Sequence, residues 1–187
     1  MYELVTASIQ RFGPFSDEQL KTVLNYLKHY TIEKDEFIIK EGQICRDFFF
    51  VNQGSFRHYT VLETGVEATI NLYMESDWVF EYKSFVSQQP STAFIQANEK
   101  SDVFALSTFD FHELVKISDS FFRMGKIFEQ AIQNQDFQHN RLNPEEKYEL
   151  LLSTKPQLLQ KFPLKQIASY LGMTPETLSR IRKKISS

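Results

Sequence analysis

Charged and hydroxyl-bearing side chains recur between residues 174 and 184, at spacings that place several of them on one side of a helix. Glu176 and Arg180 are four residues apart and so share a helical face, with Thr177 beside them. Arginine can bond guanine O6 and N7 together, glutamate can accept from cytosine N4, and lysine or threonine can hold phosphates. These residue types favour reading of DNA bases. The candidate contacts are Thr174, Glu176, Thr177, Ser179, Arg180, Arg182, Lys183 and Lys184.

The charge of the chain is unevenly divided. The net charge is −3, but residues 156–187 hold six basic residues and one acidic residue, whereas residues 1–155 hold fifteen basic and twenty-three acidic residues. Nucleic acid responds to the local field of the basic end rather than to the mean charge. Charge alone would also fit the solvated face of an ordinary helical hairpin.

The residues before this cluster have the pattern of a short helix. Four apolar residues have the i, i+3, i+4, i+7 spacing of one helical stripe. They are Leu164, Ile167, Ala168 and Leu171. Gly172 follows, where a helix end needs a positive φ that a side chain would strain. Ala168 is small, which lets a second helix cross closely.

A second helix is predicted to begin at Pro175. Thr174 can cap it through its hydroxyl, and a proline at the first helical position loses nothing by lacking an N–H. Its buried stripe is predicted to be Leu178, Ile181 and Ile185. Two short helices joined by a three-residue turn that begins with glycine predict a helix-turn-helix, which would hold the polar cluster in place.

A different periodicity fills the middle of the chain. Residues 1–29 are predicted to be helical, with Ser16 as an N-cap. From about Tyr30 to Ser107, short β-branched and aromatic runs alternate with turns, which predicts an antiparallel sandwich or roll. Helix is predicted again from about Thr108. The predicted strands are residues 37–39, 48–51, 56–61, 68–72, 92–97 and 103–106.

Residues 118–142 alternate spacings of three and four, as in the a/d seam of a coiled coil. One interpretation is a dimer helix that packs on the β-rich body at its start and on its twin further along. The other is an ordinary amphipathic core helix, and three heptads do not separate the two. Asn143-Pro144 ends the pattern. The seam candidates are Phe121, Met124, Phe128, Ala131 and Gln135, followed by Gln138 and Leu142.

The composition is that of a folded protein. Of 187 residues, 42% are hydrophobic and eighteen are Phe, which suffices for a substantial core. The chain has no apolar run of about eighteen residues and no basic-then-apolar leader, so we expect a soluble cytoplasmic protein without membrane contact.

Catalytic and metal motifs are missing from the sequence. No Walker loop, nucleophile elbow, dinucleotide-binding motif or paired carboxylates stand out, so we expect no enzyme. The single Cys45 cannot form an internal disulfide. The four histidines lack ligand spacing, so we expect no metal; His58, the only histidine in a predicted strand, is the one candidate for a cupin-like metal role.

The order of these parts resembles the Crp/Fnr family of bacterial transcription regulators. The resemblance implies an α+β fold: an N-terminal antiparallel β-roll of the cyclic-nucleotide-binding type (a double-stranded β-helix) with flanking helices, a long connecting and dimer helix, and a C-terminal helix-turn-helix. The domains would be 1–117, 118–142 and 143–187. The matching stretches are Ile167-Ala168, Leu171-Gly172, Glu176-Thr177-Leu178-Ser179-Arg180, Lys40-Glu41-Gly42 and Phe50-Val51-Asn52-Gln53-Gly54-Ser55-Phe56-Arg57.

The resemblance also implies partners. Glu176 and Arg180 fall at the family's base-reading positions, and members bind inverted repeats as homodimers, with half-sites about 34 Å apart. RNA polymerase is a further candidate partner. The sequence ends at Ser187, soon after the second helix, so we expect a helix-turn-helix that lacks the family's full β wing.

The cyclic-nucleotide cassette departs from the family pattern. Cyclic-AMP-binding members have Gly-Glu followed further on by Arg-Ser-Ala; here Phe80 replaces the Gly and Ser91 the Arg, although Glu81 is present. A buried cyclic phosphate needs a cation or a nest of backbone donors. We therefore expect no cyclic nucleotide, and either another effector or a pocket filled by aromatic side chains. The candidate pocket residues are Phe80, Glu81, Tyr82, Ser91 and Thr92.

Two functions are compatible with these features. The favoured one is a dimeric, sequence-specific DNA-binding regulator whose roll senses an unidentified effector. The alternative is a small-molecule-binding β-roll whose helical tail docks to a protein partner. Docking to a protein would more naturally expose apolar anchors where Glu176 and Arg180 stand.

Overall fold

Two helices precede the sheets in this computed structural model, which describes residues 1–129 and 142–185. Helix α1 is Glu3–Arg11 and α2 is Asp17–Tyr26. The Ser16 hydroxyl accepts from the Gln19 amide, and the Gln19 side chain accepts from the Ser16 amide, so the predicted cap is present as a capping box. The predicted helix over residues 1–29 is thus two helices, and it ends before Lys28, where the first strand begins.

In the part of the chain that the structure describes, eight strands form two antiparallel four-stranded sheets with orders β1-β8-β3-β6 and β2-β7-β4-β5. This confirms the predicted antiparallel roll. Strands β1 and β6 were not predicted, because β1 is mostly exposed and β6 has only two residues. The strands are β1 Lys28–Ile32, β2 Phe37–Ile39, β3 Asp47–Gln53, β4 Ser55–Val61, β5 Glu67–Met74, β6 Trp78–Val79, β7 Phe94–Ala97 and β8 Ser101–Ser107.

Gly54 makes the bend between β3 and β4 at a φ of +107°. A Cβ at this position would lie 2.0 Å from the Ser101 Oγ and 2.8 Å from the Ser101 Cα. Only glycine fits such a close approach of two backbones at this φ. The tight bend predicted at Gly54 is therefore confirmed.

The outer face of the first sheet packs on helices. Helix α3 is Tyr82–Ser87 and α4 is Thr108–Ile117. The rings of Phe48, Phe50 and Phe104 are buried in one core with Ile9 of α1 and Leu114 of α4. Burial of large aromatic side chains supplies most of the stabilisation that such a core can offer.

Four phenylalanines form an aromatic cluster at one end of this core. The centroid of the Phe48 ring lies 5.4 Å from that of Phe80, 4.4 Å from that of Phe85 and 5.5 Å from that of Phe128. Most of the ring pairs are tilted or edge-to-face, the arrangement that the ring quadrupoles favour. The cluster ties the segment after α4 to the roll.

The segment after α4 differs from the predicted single helix over residues 118–142. Asp119–Gly125 is a 3-10 helix, and α-helical geometry begins at residue 126. Phe121, Met124 and Ile127 are all buried in the roll core. Their spacing of three residues matches the 3.0-residue turn of a 3-10 helix, which places them on one side. Burial of these side chains in the core therefore determines the local structure here, rather than the coiled-coil spacing of the sequence.

Four helices form the C-terminal part of the described chain: α5 Pro144–Thr154, α6 Pro156–Lys161, α7 Leu164–Tyr170 and α8 Pro175–Ile185. The Asn143 side chain accepts from the Glu145 and Glu146 amides, which fixes the start of α5 at the predicted break. None of the described helices is long and apolar enough to span a bilayer.

His58 lies inside the roll, on the same face of β4 as the buried Phe56. Its neighbours across the sheet are Asn71 of β5 and Ile95 of β7. The imidazole Nε2 has no hydrogen-bond partner among the described residues. Burial, assisted by the charge of Lys83, lowers the pKa of His58 from 6.5 to about 4.

Substitution of Phe48 tests the aromatic cluster. We expect Phe48→Ala to lower the free energy of unfolding by about 3–5 kcal/mol, because it leaves a cavity among three other rings. Phe122→Ala is the matched control, since Phe122 is 63% exposed, and it should cost under about 1 kcal/mol. Urea denaturation measures both, and equal losses would contradict a central role for the cluster.

The pH dependence of stability tests the burial of neutral His58. Its folded-state pKa of about 4 lies below the ordinary 6.5, so the unfolded chain takes up a proton first as the pH falls. Stability should therefore be lost between pH 6.5 and about 4, by up to about 3 kcal/mol from this group. Measured by urea denaturation, the free energy of unfolding of His58→Gln should change less with pH over that range than that of the wild type. The control His112→Gln, at an exposed position, should keep the wild-type pH dependence.

Candidate nucleic-acid interface

A tight turn joins α7 to α8. Gly172 has a φ of +73°, and its amide donates to the Ser169 carbonyl at the end of α7. The Thr174 hydroxyl accepts from the Thr177 amide at 3.3 Å, which caps α8. The structure thus confirms the glycine turn and the cap of the predicted helix-turn-helix.

The inner faces of the two helices meet in a C-terminal core. Leu178 of α8 is fully buried, as are Ile167 and Ala168 of α7. Ala168 leaves room for the close crossing. Ile181 is half-buried and Ile185 is 37% exposed, so the predicted stripe is fully covered only at its first position.

The outer face of α8 and its cap carries most of the predicted DNA contacts. Because Leu178 faces inward, the residues two positions to either side of it face solvent. Thr177 is half-buried at the edge of this face, and Arg182, four residues after Leu178, is half-buried on the inner side of the helix. The exposed members are Thr174, Glu176, Ser179, Arg180, Lys183 and Lys184.

Hydrogen bonds order the first turn of this face. The Arg180 Nη2 donates to the Thr177 Oγ1 at 3.2 Å, and the Thr177 and Thr174 hydroxyls are 3.2 Å apart. A hydrogen bond from its own amide, another from Thr174 and the charge of Arg180 lower the pKa of Glu176. The Glu176 carboxylate is therefore an ionised acceptor beside a guanidinium donor.

The far end of α8 is tied to α5 by one surface ion pair. The Lys184 Nζ lies 2.7 Å from the Glu145 Oε1, and both side chains are well exposed. Exposed pairs of this kind contribute little to stability, so a phosphate can compete for the lysine at small cost.

Helix α7 packs on the outer face of β5. Leu72 of β5 is buried in the same core as Leu171 and Leu178. The Thr69 amide of β5 donates to the Ser169 Oγ at 2.9 Å. Apolar contact and a backbone hydrogen bond together fix the helix-turn-helix on the roll.

An ionic cluster reinforces this contact at the end of α6. The Lys161 ammonium binds the Glu75 carboxylate and lies 3.2 Å from the Glu99 Oε1. Burial disfavours the charged ammonium, but the hydrogen bonds to Glu75 and Glu99 prevail and raise the pKa of Lys161. Glu75 also accepts from the Gly54 amide, and Glu99 from the Ser55 hydroxyl. The cluster is thus anchored in the β3–β4 bend.

The sequence analysis did not predict that α7, besides forming the helix-turn-helix, also packs on the roll. Gln166 and Ser169 are three residues apart and share one helical face, away from the DNA-reading cluster. A helix face with uncharged polar residues is more typical of a contact with protein than of a surface exposed to bulk water. This was the signal in the sequence that could have indicated the contact. No sequence pattern named β5 as its partner.

The predicted pocket residues make contacts within the chain. The ring of Phe80 is buried in the aromatic cluster. Glu81 is buried and caps α3, accepting from the Ser84 amide at 2.5 Å and the Lys83 amide at 3.3 Å. Tyr82 is half-buried, with its ring 6.3 Å from that of Phe80. Each side chain thus has a structural explanation.

The other two predicted pocket residues lie before β7. The buried Ser91 hydroxyl donates to the Ala93 carbonyl at 2.9 Å and accepts from the Ala93 amide at 3.0 Å. Thr92 is exposed, and its carbonyl accepts from the Thr60 hydroxyl. Binding of an effector by the five residues stays a prediction.

The predicted dimer seam is only partly described. Phe121 and Met124 are buried in the roll core, and Phe128 packs in the aromatic cluster. Their apolar side chains are therefore covered within this chain. Ala131 and Gln135 lie outside the described residues, so a seam with a second copy stays a prediction.

Neither a cluster of potential metal ligands nor an ionised thiol is present within residues 1–129 and 142–185. No group of three potential metal ligands comes together there. Burial raises the pKa of the Cys45 thiol to about 12, although the Glu81 amide donates to its sulfur. Cys45 is therefore a protonated, unreactive core residue at neutral pH.

Comparison with known proteins identifies the roll and the overall fold. Residues 30–118 match the cyclic nucleotide-binding domain family. No curated protein matches the chain in sequence. FixK2 from Bradyrhizobium japonicum superposes with a TM-score of 0.71 at 17% identity, covering 86% of this chain and 84% of that chain.

Two further solved structures have the same arrangement. The catabolite activator protein of Thermus thermophilus has a TM-score of 0.59 at 18% identity, covering 96% of this chain and 86% of that chain. CLP, a c-di-GMP-responsive global regulator from Xanthomonas campestris, has a TM-score of 0.66 at 13% identity, covering 91% of this chain and 92% of that chain. Over most of its length the chain therefore has the fold of solved Crp/Fnr-family structures, and its residues 30–118 match the cyclic nucleotide-binding domain family.

Proposed function

We propose that this protein is a dimeric, sequence-specific DNA-binding transcription regulator. The observation that supports this most directly is the outer face of α8. There Glu176 and Arg180 are exposed and Arg180 is held by a hydrogen bond to Thr177, while the opposite face is anchored by Leu178. A helix held rigidly on one side, with polar groups on the other, is what major-groove reading requires.

The contacts of α8 suit direct readout. Arg180 lies four residues after Glu176, so both reach the groove from the amino-terminal half of the helix, which enters deepest in helix-turn-helix complexes. Arg180 would bond guanine O6 and N7, and Glu176 would accept from cytosine N4. Thr174, Ser179 and the lysines at the end of α8 would hold phosphates.

A homodimer would place two such helices on an inverted repeat. Half-sites of this class lie about one helical turn, 34 Å, apart. Phe121 and Met124 are used by the roll core, so a subunit contact would have to use other side chains.

The roll would serve as the sensor, with an effector other than cyclic AMP. Phe80 stands where cyclic-AMP-binding members have glycine, and its ring occupies the aromatic cluster. Ser91 stands at the place of their arginine, and its hydroxyl bonds Ala93. Neither position offers the cation that a buried cyclic phosphate needs.

The effect of an effector on DNA binding would pass through the contact between β5 and α7. That contact consists of Leu72, the Thr69–Ser169 hydrogen bond and the Lys161 ionic cluster. A ligand can shift the arrangement only if it binds two arrangements with different affinity.

Selection of bound sequences from a random DNA pool tests the readout. We expect the wild type to enrich a palindrome and Arg180→Ala to lose preference at one base pair of each half-site, at a cost of about 1–3 kcal/mol there. Lys21→Ala, which removes one exposed positive charge from α2, should leave the preference unchanged.

Two results would contradict the proposal. Salt-sensitive binding without an enriched motif, also in the presence of cell extract to supply effectors, would reduce the basic end to a non-specific contact. An unchanged motif with Arg180→Ala would remove Arg180 from base reading.

Amide hydrogen exchange tests the ionic cluster between the roll and the helix-turn-helix. In Lys161→Met, the partly buried Glu75 and the more exposed Glu99 lose their partner, and we expect the Thr69 amide to exchange about tenfold faster, which corresponds to about 1.4 kcal/mol. Lys100→Met is the control, because the Lys100–Glu33 pair is exposed on both sides. Equal protection of Thr69 in the three proteins would show that the cluster does not hold α7.

A further inference from the structure

Four polar side chains in the amino-terminal half of α8 and its cap form a continuous chain of hydrogen bonds. The Arg180 Nη2 donates to the Thr177 Oγ1 at 3.2 Å. The Thr177 Oγ1 lies 3.2 Å from the Thr174 Oγ1, and the Glu176 carboxylate takes a hydrogen bond from the Thr174 side chain. Two threonine hydroxyls thus connect the two residues that are predicted to read bases.

The chemistry of the two ends fixes the direction of this chain. A guanidinium can only donate, so the Thr177 hydroxyl accepts from Arg180. An ionised carboxylate can only accept, so the Thr174 hydroxyl donates to Glu176. The Thr177 hydroxyl must therefore donate to Thr174, and every bond runs from the cation towards the anion. Hydrogen bonds aligned in this way polarise and strengthen one another.

Thr177 is the member of this chain with the least freedom to move. It is half-buried, whereas Thr174, Glu176 and Arg180 are exposed. A β-branched side chain has few rotamers in a helix, and the Thr177 amide is held by the Thr174 Oγ1 at 3.3 Å. The Thr177 hydroxyl therefore offers Arg180 an acceptor at a fixed position.

The bond to Thr177 leaves Arg180 able to read a base. Arginine has five N–H donors in a rigid fork, and this bond uses one of them. A parallel pair of N–H groups remains for guanine O6 and N7. The loss of conformational freedom of a long side chain opposes binding, and a side chain that is already held avoids part of that loss.

We propose that Thr177 is a positioning residue that holds the Arg180 guanidinium ready for guanine, rather than a contact to the phosphate backbone. This role rests on the DNA-binding function proposed above. A phosphate contact supports binding to every sequence alike, whereas a positioning residue acts only at the base pair that Arg180 reads.

Selection of bound sequences from a random DNA pool separates the two roles. Thr177→Val keeps the shape of the side chain and removes the hydroxyl. We expect it to lower the preference for guanine about three- to tenfold, at the base pair whose preference Arg180→Ala abolishes, and at no other position. Thr177→Ser returns a hydroxyl and should restore the preference. Thr22→Val makes the same change at a half-buried position of α2 and should keep the wild-type motif.

Nuclear magnetic resonance of the protein without DNA tests the hydrogen bond itself. We expect the order parameter of the Arg180 Nε–H group to be lower in Thr177→Val than in the wild type, and to recover in Thr177→Ser. Backbone order parameters of α8 should be equal in the three proteins, because the helix cap uses the Thr177 amide and not its hydroxyl.

Failure of the positioning role can be told apart from failure of the proposed function. An enriched motif that Thr177→Val leaves unchanged, or weaker binding to all sequences with the same preference, would overturn the positioning role alone. Equal order of the Arg180 side chain in the wild type and Thr177→Val would do the same. A wild type that enriches no motif would overturn the proposed function, and the positioning role with it.

Discussion

Strand β5 belongs to two cores at once, and the rest of the structure depends on this. Tyr73 faces inward and closes the roll, whereas Leu72 faces outward and is buried among the C-terminal helices. Because neighbouring residues of a strand point to opposite faces, one strand can stabilise both cores. The helix-turn-helix is therefore a packed part of the molecule rather than a tethered appendage.

Polar groups determine how α7 sits on this strand. Apolar contact alone is non-directional and would allow α7 to slide along β5. The Thr69–Ser169 and Asn98–Gln166 hydrogen bonds and the Lys161 cluster each require one position of the helix. They therefore fix the positions of Arg180 and Glu176 relative to the roll.

At the other end of the roll, aromatic packing surrounds a residue that the family resemblance placed in a candidate ligand pocket. Phe80, which the family resemblance assigned to a phosphate cassette, is part of a cluster with Phe48, Phe85 and Phe128. The same cluster holds the start of the segment that leads to the C-terminal helices. At this position the roll thus makes a hydrophobic contact with the connecting segment.

The sequence by itself determined the local structures, since their causes lie within a few residues. The Ser16 cap, the break at Asn143-Pro144 and the turn at Gly172 follow from hydroxyl, proline and glycine chemistry and were predicted correctly. Only the tertiary structure decided where α7 packs and that residues 119–125 form a 3-10 helix. Those features arise from contacts between residues distant in the chain, and such contacts override local periodicity when burial of large apolar side chains outweighs the small differences in backbone preference.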